Sequence, residues 1–575
     1  MFNSVTRKCL SLFFSLLVVL TLIVSCGDGT EDTTTQTTPT TSPPMTTTST
    51  TPTSPVSYEG MPLASFDSGD FTGSGNCAAC HTGMQDATGK DVSIDSDWRS
   101  TMMANAAKDP YWQAKVFTEV YHTPALKEVI EDTCATCHMP MARTQAQVDG
   151  TSSLMLDGGF LSEDNALHVS AMDGNSCTLC HQIQPDGLGT EASFAGQYQI
   201  DTSTDSPNRI AFGQFDNQVA NQMQALSGFI PEMGEQVTQA ALCATCHTVI
   251  TPFVDEDGDV QGTFPEQAPF LEWLNSDYSD DTTCQSCHMP VAEGSVKIAN
   301  MPPSVELRSP FHQHFFVGGN SLMLDIIKTN GEEIGVSASS DNFDDTIELT
   351  LDQLQTGSAG VQISSADWDG SQLEITVDVS NDAGHKYPTG FPSRRSWIHL
   401  TVTDDDGNIV FESGKTNADG TISGNDADAD ASSFEPHYDV ITSQNQVQIY
   451  ESVMQTYEGD VTYTLLRAAS YIKDNRLLPD GFDKNTDEDR IAIVGEAADD
   501  ADFVGGSDQV TYIIDAAGDY QQLNIEVELL YQSISYNFAQ AVFEVAGELT
   551  DIFEEYFLAA DISPVLVAYA NSNVE

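Results

Sequence analysis

Cys77-Ala78-Ala79-Cys80-His81 opens a pattern that the chain repeats four more times: Cys134-Ala135-Thr136-Cys137-His138, Cys177-Thr178-Leu179-Cys180-His181, Cys243-Ala244-Thr245-Cys246-His247 and Cys284-Gln285-Ser286-Cys287-His288. Two thiols three positions apart can add to the two vinyl groups of one haem. The histidine directly after the second thiol then reaches the iron from the same side. Zinc ribbons take two Cys-x-x-Cys arms per metal and have no use for a histidine after every second arm. Disulfides would not need that histidine either. Ten of the twelve cysteines lie inside these five motifs, and the other two lie near the N-terminus. The reading is therefore five haem c groups, attached through Cys77, Cys80, Cys134, Cys137, Cys177, Cys180, Cys243, Cys246, Cys284 and Cys287. His81, His138, His181, His247 and His288 are the proximal iron ligands.

Working outward, residues 58–330 form the haem-bearing region, in which short helical stretches alternate with Gly- and Asp-rich loops and porphyrins supply much of the apolar mass. Asp97 to Phe117 carries apolar residues at near-helical spacing. A weak internal echo links Asp132 through Pro140 with Asp281 through Pro290, suggesting duplicated units. Residues 331–357 read as a connector with a helix around Asp344 to Leu354. Over 358–531 the period changes to two: Leu373, Ile375, Val377 and Val379 alternate with polar residues, as do Ile398, Leu400 and Val402, and Asp406-Gly407 signals a hairpin. This predicts an antiparallel, immunoglobulin-like β-sandwich. Residues 532–575 read as a C-terminal amphipathic helix and tail, from Phe538 through Tyr556. The fold class is thus multidomain: an irregular, mainly helix-and-loop haem domain, then a β-sandwich, then a helix.

The first 57 residues have a different composition. Residues 1–25 have basic Arg7 and Lys8 followed by a short apolar run, as in an export signal. The run ends in Ile23-Val24-Ser25-Cys26, which resembles a bacterial lipobox and implies a lipid on Cys26. Residues 26–57 are rich in Thr, Pro and Ser, have no apolar periodicity and read as a disordered stalk. The chain is expected to be exported and tethered by lipid in the bacterial cell envelope, at the periplasmic face or the cell surface, with the outer membrane favoured. The 86 acidic residues stand against 21 basic ones, a formal net charge of -65. Such a chain is repelled by nucleic acid, which excludes that class of partner.

Seven histidines lie outside the motifs. His122, His168, His312, His314 and His385 compete, with Met103, for the distal positions. His399, on the polar face of a strand, is expected to be exposed, and His437 to be a surface or structural residue. The stiff loop Gly384-His385-Lys386-Tyr387-Pro388-Thr389-Gly390 makes His385 the boldest candidate: its bond would clamp the β-region onto the haem region. The acidic loop Asp255 to Asp259 lacks the calcium-loop spacing and reads as solvated.

Cys77 to Ala107 resembles the N-terminal part of the cytochrome c-554 type of multihaem cytochromes in bacterial respiratory chains. That pattern places a tryptophan, a serine and a His-Ala pair after the first motif. Here it reads Trp98-Arg99-Ser100-Thr101-Met102-Met103-Ala104, with Met103 where the histidine would stand. The resemblance continues through Phe311 to Asn320 and Gly384 to Gly390, roughly the middle of the chain. It implies electron transfer between redox proteins or to extracellular acceptors. Two rival readings stand beside it. One is an enzyme with a five-coordinate haem acting on a small nitrogen oxyanion, although no Cys-x-x-Cys-Lys variant is present. The other is a structural subunit of a haem filament.

Overall fold

The computed structural model describes residues 57–575. The leader, Cys26 and nearly all of the stalk lie outside the described residues. The described residues form one compact unit, helical towards its N-terminus and rich in β-sheet later. Among the described residues no helix is long and apolar enough to cross a membrane.

The segment Asp97 to Phe117 is not one helix. A short helix ends at Arg99, turns follow, and helix α1 (Pro110–His122) starts afresh. Pro110 disfavours helical backbone at the residue before it, and Asp109 caps the new helix by accepting the Tyr111 and Trp112 N–H groups at 2.9 and 3.2 Å. Burial of that cap pushes its carboxyl up to about 6. Helix α2 (Lys127–His138) carries the whole second motif. Trp112 and Val116 of α1 pack with Ile130 and Ala135 of α2 and with Met139, Met155 and Phe160. A neighbouring face of α1 is stapled to the β-region. Buried Glu119 accepts the Leu465 and Leu466 N–H groups at 2.8 and 3.2 Å, and Lys115 donates to the Tyr463 carbonyl at 2.6 Å.

Helix α3 (Ser340–Gly357) contains the connector helix expected from Asp344 to Leu354 and begins with a capping box at Ser339 and Asn342. Two sheets follow. One is built on strands β1 (Gln372–Asn381) and β3 (Ser507–Asp515), antiparallel in full register from Ser380 opposite Ser507 to Gln372 opposite Asp515. The other is built on β2 (Arg395–Thr403) and β4 (Leu523–Gln532), also antiparallel. Their inner faces share one core: Leu373, Ile375, Val377 and Val379 meet Ile398, Leu400, Val402, Ile525, Val527 and Leu529, all fully buried. Each contributes about 1.5–3 kcal/mol of burial. The same cluster takes in Phe194, Ala240, Ala244, Phe270 and Leu271 from around the fourth motif. The pairing is not uniformly antiparallel, because Val440–Ile441 runs parallel to β3.

The C-terminus differs from the expected helix and tail. Phe538 to Tyr556 is divided into two helices, Tyr536–Phe543 and Glu548–Ala559, and Val565–Val574 then joins the second sheet beside β4. Helical spacing runs through the break because both helices bury one face. Gly547 stands at the break, where a β-carbon would come within 2.4 Å of the Phe117 ring of α1.

Candidate functional site

Each motif is built on a helical turn. Motif two occupies the end of α2, motif three helix Cys177–Cys180, motif four the end of Ala240–His247 and motif five helix Cys284–His288, while motif one begins at the end of Ser74–Ala78. On a helix, positions i, i+3 and i+4 share a face, so both thiols and the imidazole of a motif project together. None of the ten cysteines is in a disulfide.

Four of the five motif histidines are anchored at Nδ1 by a backbone carbonyl. His81 Nδ1 is 2.7 Å from the Ile298 carbonyl, His138 Nδ1 3.2 Å from Ala106, His181 Nδ1 2.5 Å from Phe212, and His288 Nδ1 contacts Val317. A carbonyl at Nδ1 places the proton there and leaves the Nε2 lone pair for a metal. Burial lowers all five motif histidines, His138 and His247 to about 4, so the rings are neutral, as ligation requires. Trp112 stacks flat on His138, 4.4 Å between ring centres and 5° between planes. Nothing in the spacing of the sequence announced that contact.

Two distal candidates come to face motif histidines. His314 lies with its ring centre 6.4 Å from that of His181, at 25° between planes, and His385 lies 6.2 Å from His288 at 16°. One metal between two imidazoles, with bonds of about 2.0 Å and ring centres about 1.1 Å beyond each nitrogen, spaces the rings by about 6.2 Å. The residues therefore fit bis-imidazole ligation of an iron at both places. His385 Nδ1 is anchored to the Lys386 carbonyl at 3.0 Å. Buried His314 Nδ1 has no partner, and burial with the fields of His181 and His81 lowers its ring to about 3.

The other candidates are placed differently. His168 and His312 are anchored at Nδ1 to the Phe160 and Met289 carbonyls at 2.9 and 3.1 Å, but neither ring is paired with a motif histidine as His314 and His385 are. His122 is exposed at the end of α1, edge-on to Tyr121. Met103 is half-buried in the turns after Arg99, its carbonyl accepting the Asn175 N–H at 3.0 Å.

The motifs are tied to one another in a branched order. Thr178, inside motif three, exchanges hydrogen bonds of 2.8 and 3.2 Å with the backbone of Thr72, just before motif one. Gly196 seats motif two against motif four. Its N–H donates to the Thr245 carbonyl at 2.6 Å, and a β-carbon there would meet Thr136 at 2.2 Å and the Cys137 thiol at 3.3 Å. Gln285 of motif five donates to the Gln239 carbonyl at the start of the motif-four helix at 2.9 Å. Gln236, shortly before motif four, donates to the Ile183 carbonyl just after motif three at 3.1 Å. The thiols agree: neighbouring Cys177 and burial hold Cys77 well above its ordinary value, as Cys284 does for Cys243 and Cys137 for Cys246.

His399 is not simply exposed. Its Nδ1 is 2.8 Å from Glu528 and its Nε2 3.4 Å from Glu412, because β4 and the hairpin strand Ile409–Ser413 that follows β2 bring both carboxylates to the polar face of β2. His437 is buried with Asp500 and Asp508 in a group of metal-ligand type. The Oε1 of Gln448 and the Oδ1 of Asn475 accept the backbone N–H of Tyr438 and Glu451, so both side-chain amides point N–H groups at His437 Nδ1, at 2.7 and 3.1 Å. Nδ1 is then the acceptor, and Nε2–H donates to Asp500 at 3.0 Å, leaving no lone pair for a cation. The role is structural. The loop at Asp255 is exposed, its carboxylate accepting the N–H groups of Asp257 and Asp259 in its own turn.

The chain is similar to the crystal structure of a penta-heme cytochrome c552 from Thermochromatium tepidum, with 15% identity and a TM-score of 0.48, over 87% of this chain and 98% of that one. No family model matches, and no curated protein matches. A likeness at that level does not determine chemistry, which rests on the motifs themselves.

Proposed function

We propose that this chain is a multihaem c-type cytochrome that carries electrons in the bacterial cell envelope, tethered through Cys26. The observation that carries the reading is the set of five Cys-x-x-Cys-His turns with neutral histidines, four of them anchored at Nδ1 and two facing a second imidazole at metal-bridging distance. Haem c supplies reversible one-electron chemistry at its iron. The chain's residues do the rest. Ten thiols would attach the haems, the five motif histidines would each bind an iron, and His314 and His385 would supply a second imidazole to the irons held by His181 and His288. Motif four lies against motifs two, three and five, and motif three against motif one, so the attachment sites form a connected, branched set.

A second reading, an enzyme with one open haem acting on a small nitrogen oxyanion, is favoured by the surroundings of His247. At His247, as at His81 and His138, no imidazole among the described residues faces the ring, and the field of the Arg394 guanidinium lowers His247 further after burial and His288. A guanidinium there suits an anion.

The test is haem quantification and EPR of protein matured with the cytochrome c machinery. Five haems per chain are expected, and His314→Ala and His385→Ala should each convert one low-spin haem to a high-spin, carbon monoxide-binding one. Fewer than four haems would overturn the reading. Carbon monoxide binding by the unmutated protein, lost on adding nitrite, would move the assignment to the enzyme.

A further inference from the structure

Between motifs four and five the chain forms helix Pro269–Leu274, and Glu272 on it is fully buried against the β-region. Three other buried charges meet it there. Arg476 Nη1 stands 2.9 Å from Glu272 Oε1, out of line for a hydrogen bond. Arg476 also grips Asp474 with both Nε and Nη2 at 2.8 Å, and Lys386 Nζ reaches Asp474 Oδ2 at 2.8 Å. Glu272 Oε2 closes the ring, accepting the Lys386 backbone N–H at 3.2 Å and the Thr389 hydroxyl at 2.5 Å. Two cations and two anions cancel, each with its partner out of water. A buried ion left without its counter-ion is strongly destabilising, so such a quartet tolerates one register of the two segments.

That register is the one that matters to His385. Residue 386 is held at both ends, its N–H by Glu272 and its ammonium by Asp474. The His385 carbonyl accepts from Asn381 Nδ2 at 2.8 Å. On the opposing segment Ser276 Oγ donates to the Gly384 carbonyl at 3.1 Å and Tyr278 OH to the Asp382 carbonyl at 2.9 Å. The segment that carries Glu272 runs on directly into motif five and His288. We propose that the quartet Glu272, Lys386, Asp474 and Arg476 is the positioning device that sets His385 against His288, with Glu272 its contribution from the haem-bearing side. This rests on the reading of His288 and His385 as a ligand pair.

The experiment uses the full, haem-loaded chain and measures haem that binds carbon monoxide, together with EPR spin state. His385→Ala tests the underlying reading and should add one carbon monoxide-binding haem per chain. Glu272→Ala should add a haem of the same signature while the one facing His314 stays low-spin. Glu272→Gln, which keeps the shape and an acceptor oxygen but drops the charge, should give the same signature in a smaller fraction of molecules, and it carries the test alone if the alanine variant does not fold. Glu119→Gln, which removes a buried charge from the staple of α1 to the β-region, should leave the spectrum unchanged. A response to His385→Ala with none to either Glu272 variant overturns the proposal alone. No response to His385→Ala overturns the ligand reading beneath it. An equal response to Glu119→Gln would show general loosening and overturn the positioning role.

Discussion

Arg209→Ala should cost far more than any surface charge, because Arg209 is a buried tie between the N-terminal segment and motif three. Its Nη1 lies 2.6 Å from Asp70 Oδ1 and 3.1 Å from the Thr204 carbonyl, Nη2 lies 2.9 Å from the Asp201 carbonyl, and Nε lies 2.9 Å from Gln182 Oε1. Gln182 follows His181 directly and in turn donates to the Asp70 carbonyl at 3.0 Å. Arg209 is 3% exposed and Asp70 6%. At 2.6 Å the gross attraction is about 6 kcal/mol for an effective dielectric of about 20. Much of that offsets desolvation, but truncating one partner strands the other, and the net loss is about 3–5 kcal/mol. The exposed pair of Lys415 with Glu412, at 3.1 Å, is the control, and Lys415→Ala should lose under about 1 kcal/mol. Arg209→Lys should resemble the alanine variant, since one ammonium cannot serve four acceptors placed for a planar fork. The assay is urea unfolding of the haem-loaded proteins, followed by far-ultraviolet circular dichroism and Soret absorbance. An Arg209→Ala loss no larger than that of the control, or a lysine variant as stable as the parent, would refute the reasoning.

Two further predictions follow from other parts of the chain. Burial disfavours the charged form of His399, yet Glu528 and Glu412 outweigh it and raise its folded value above the unfolded one of about 6.5. Its contribution is therefore complete below about pH 6.5 and is lost as pH rises through the folded value, so His399→Gln should be less stable than the parent at pH 5.5 and equal to it at pH 9. A gap that persists at pH 9 would contradict the ion pair. If Cys26 carries a lipid, Cys26→Ser should move the protein from the membrane to the soluble fraction of cells, and a variant that stays with the membrane would place the anchor elsewhere.

Much of the fold was legible where one periodicity dominates. The alternation at Leu373 to Val379 and Ile398 to Val402 became the inner faces of two sheets, because a strand buried on one face can hide only alternate residues. The same logic misled at the C-terminus. Phe538 to Tyr556 keeps one apolar stripe across two helices, and the need to pass the Phe117 ring at Gly547 is invisible in the stripe. Asp97 to Phe117 failed for a local reason that the sequence did contain, namely Asp109-Pro110.

The five Cys-x-x-Cys-His turns were legible in the sequence alone, because their geometry is local: two thiols and an imidazole within five residues need only one helical turn to face the same way. The choice of facing ligand belongs to the tertiary structure. His314 and His312, two residues apart, are equal in the sequence, yet only His314 comes to face a motif histidine. His385 reaches His288 because a buried quartet drawn from Glu272, Lys386, Asp474 and Arg476 permits one register of two distant segments. No spacing rule encodes that meeting, since it comes from matching buried charges across the folded core.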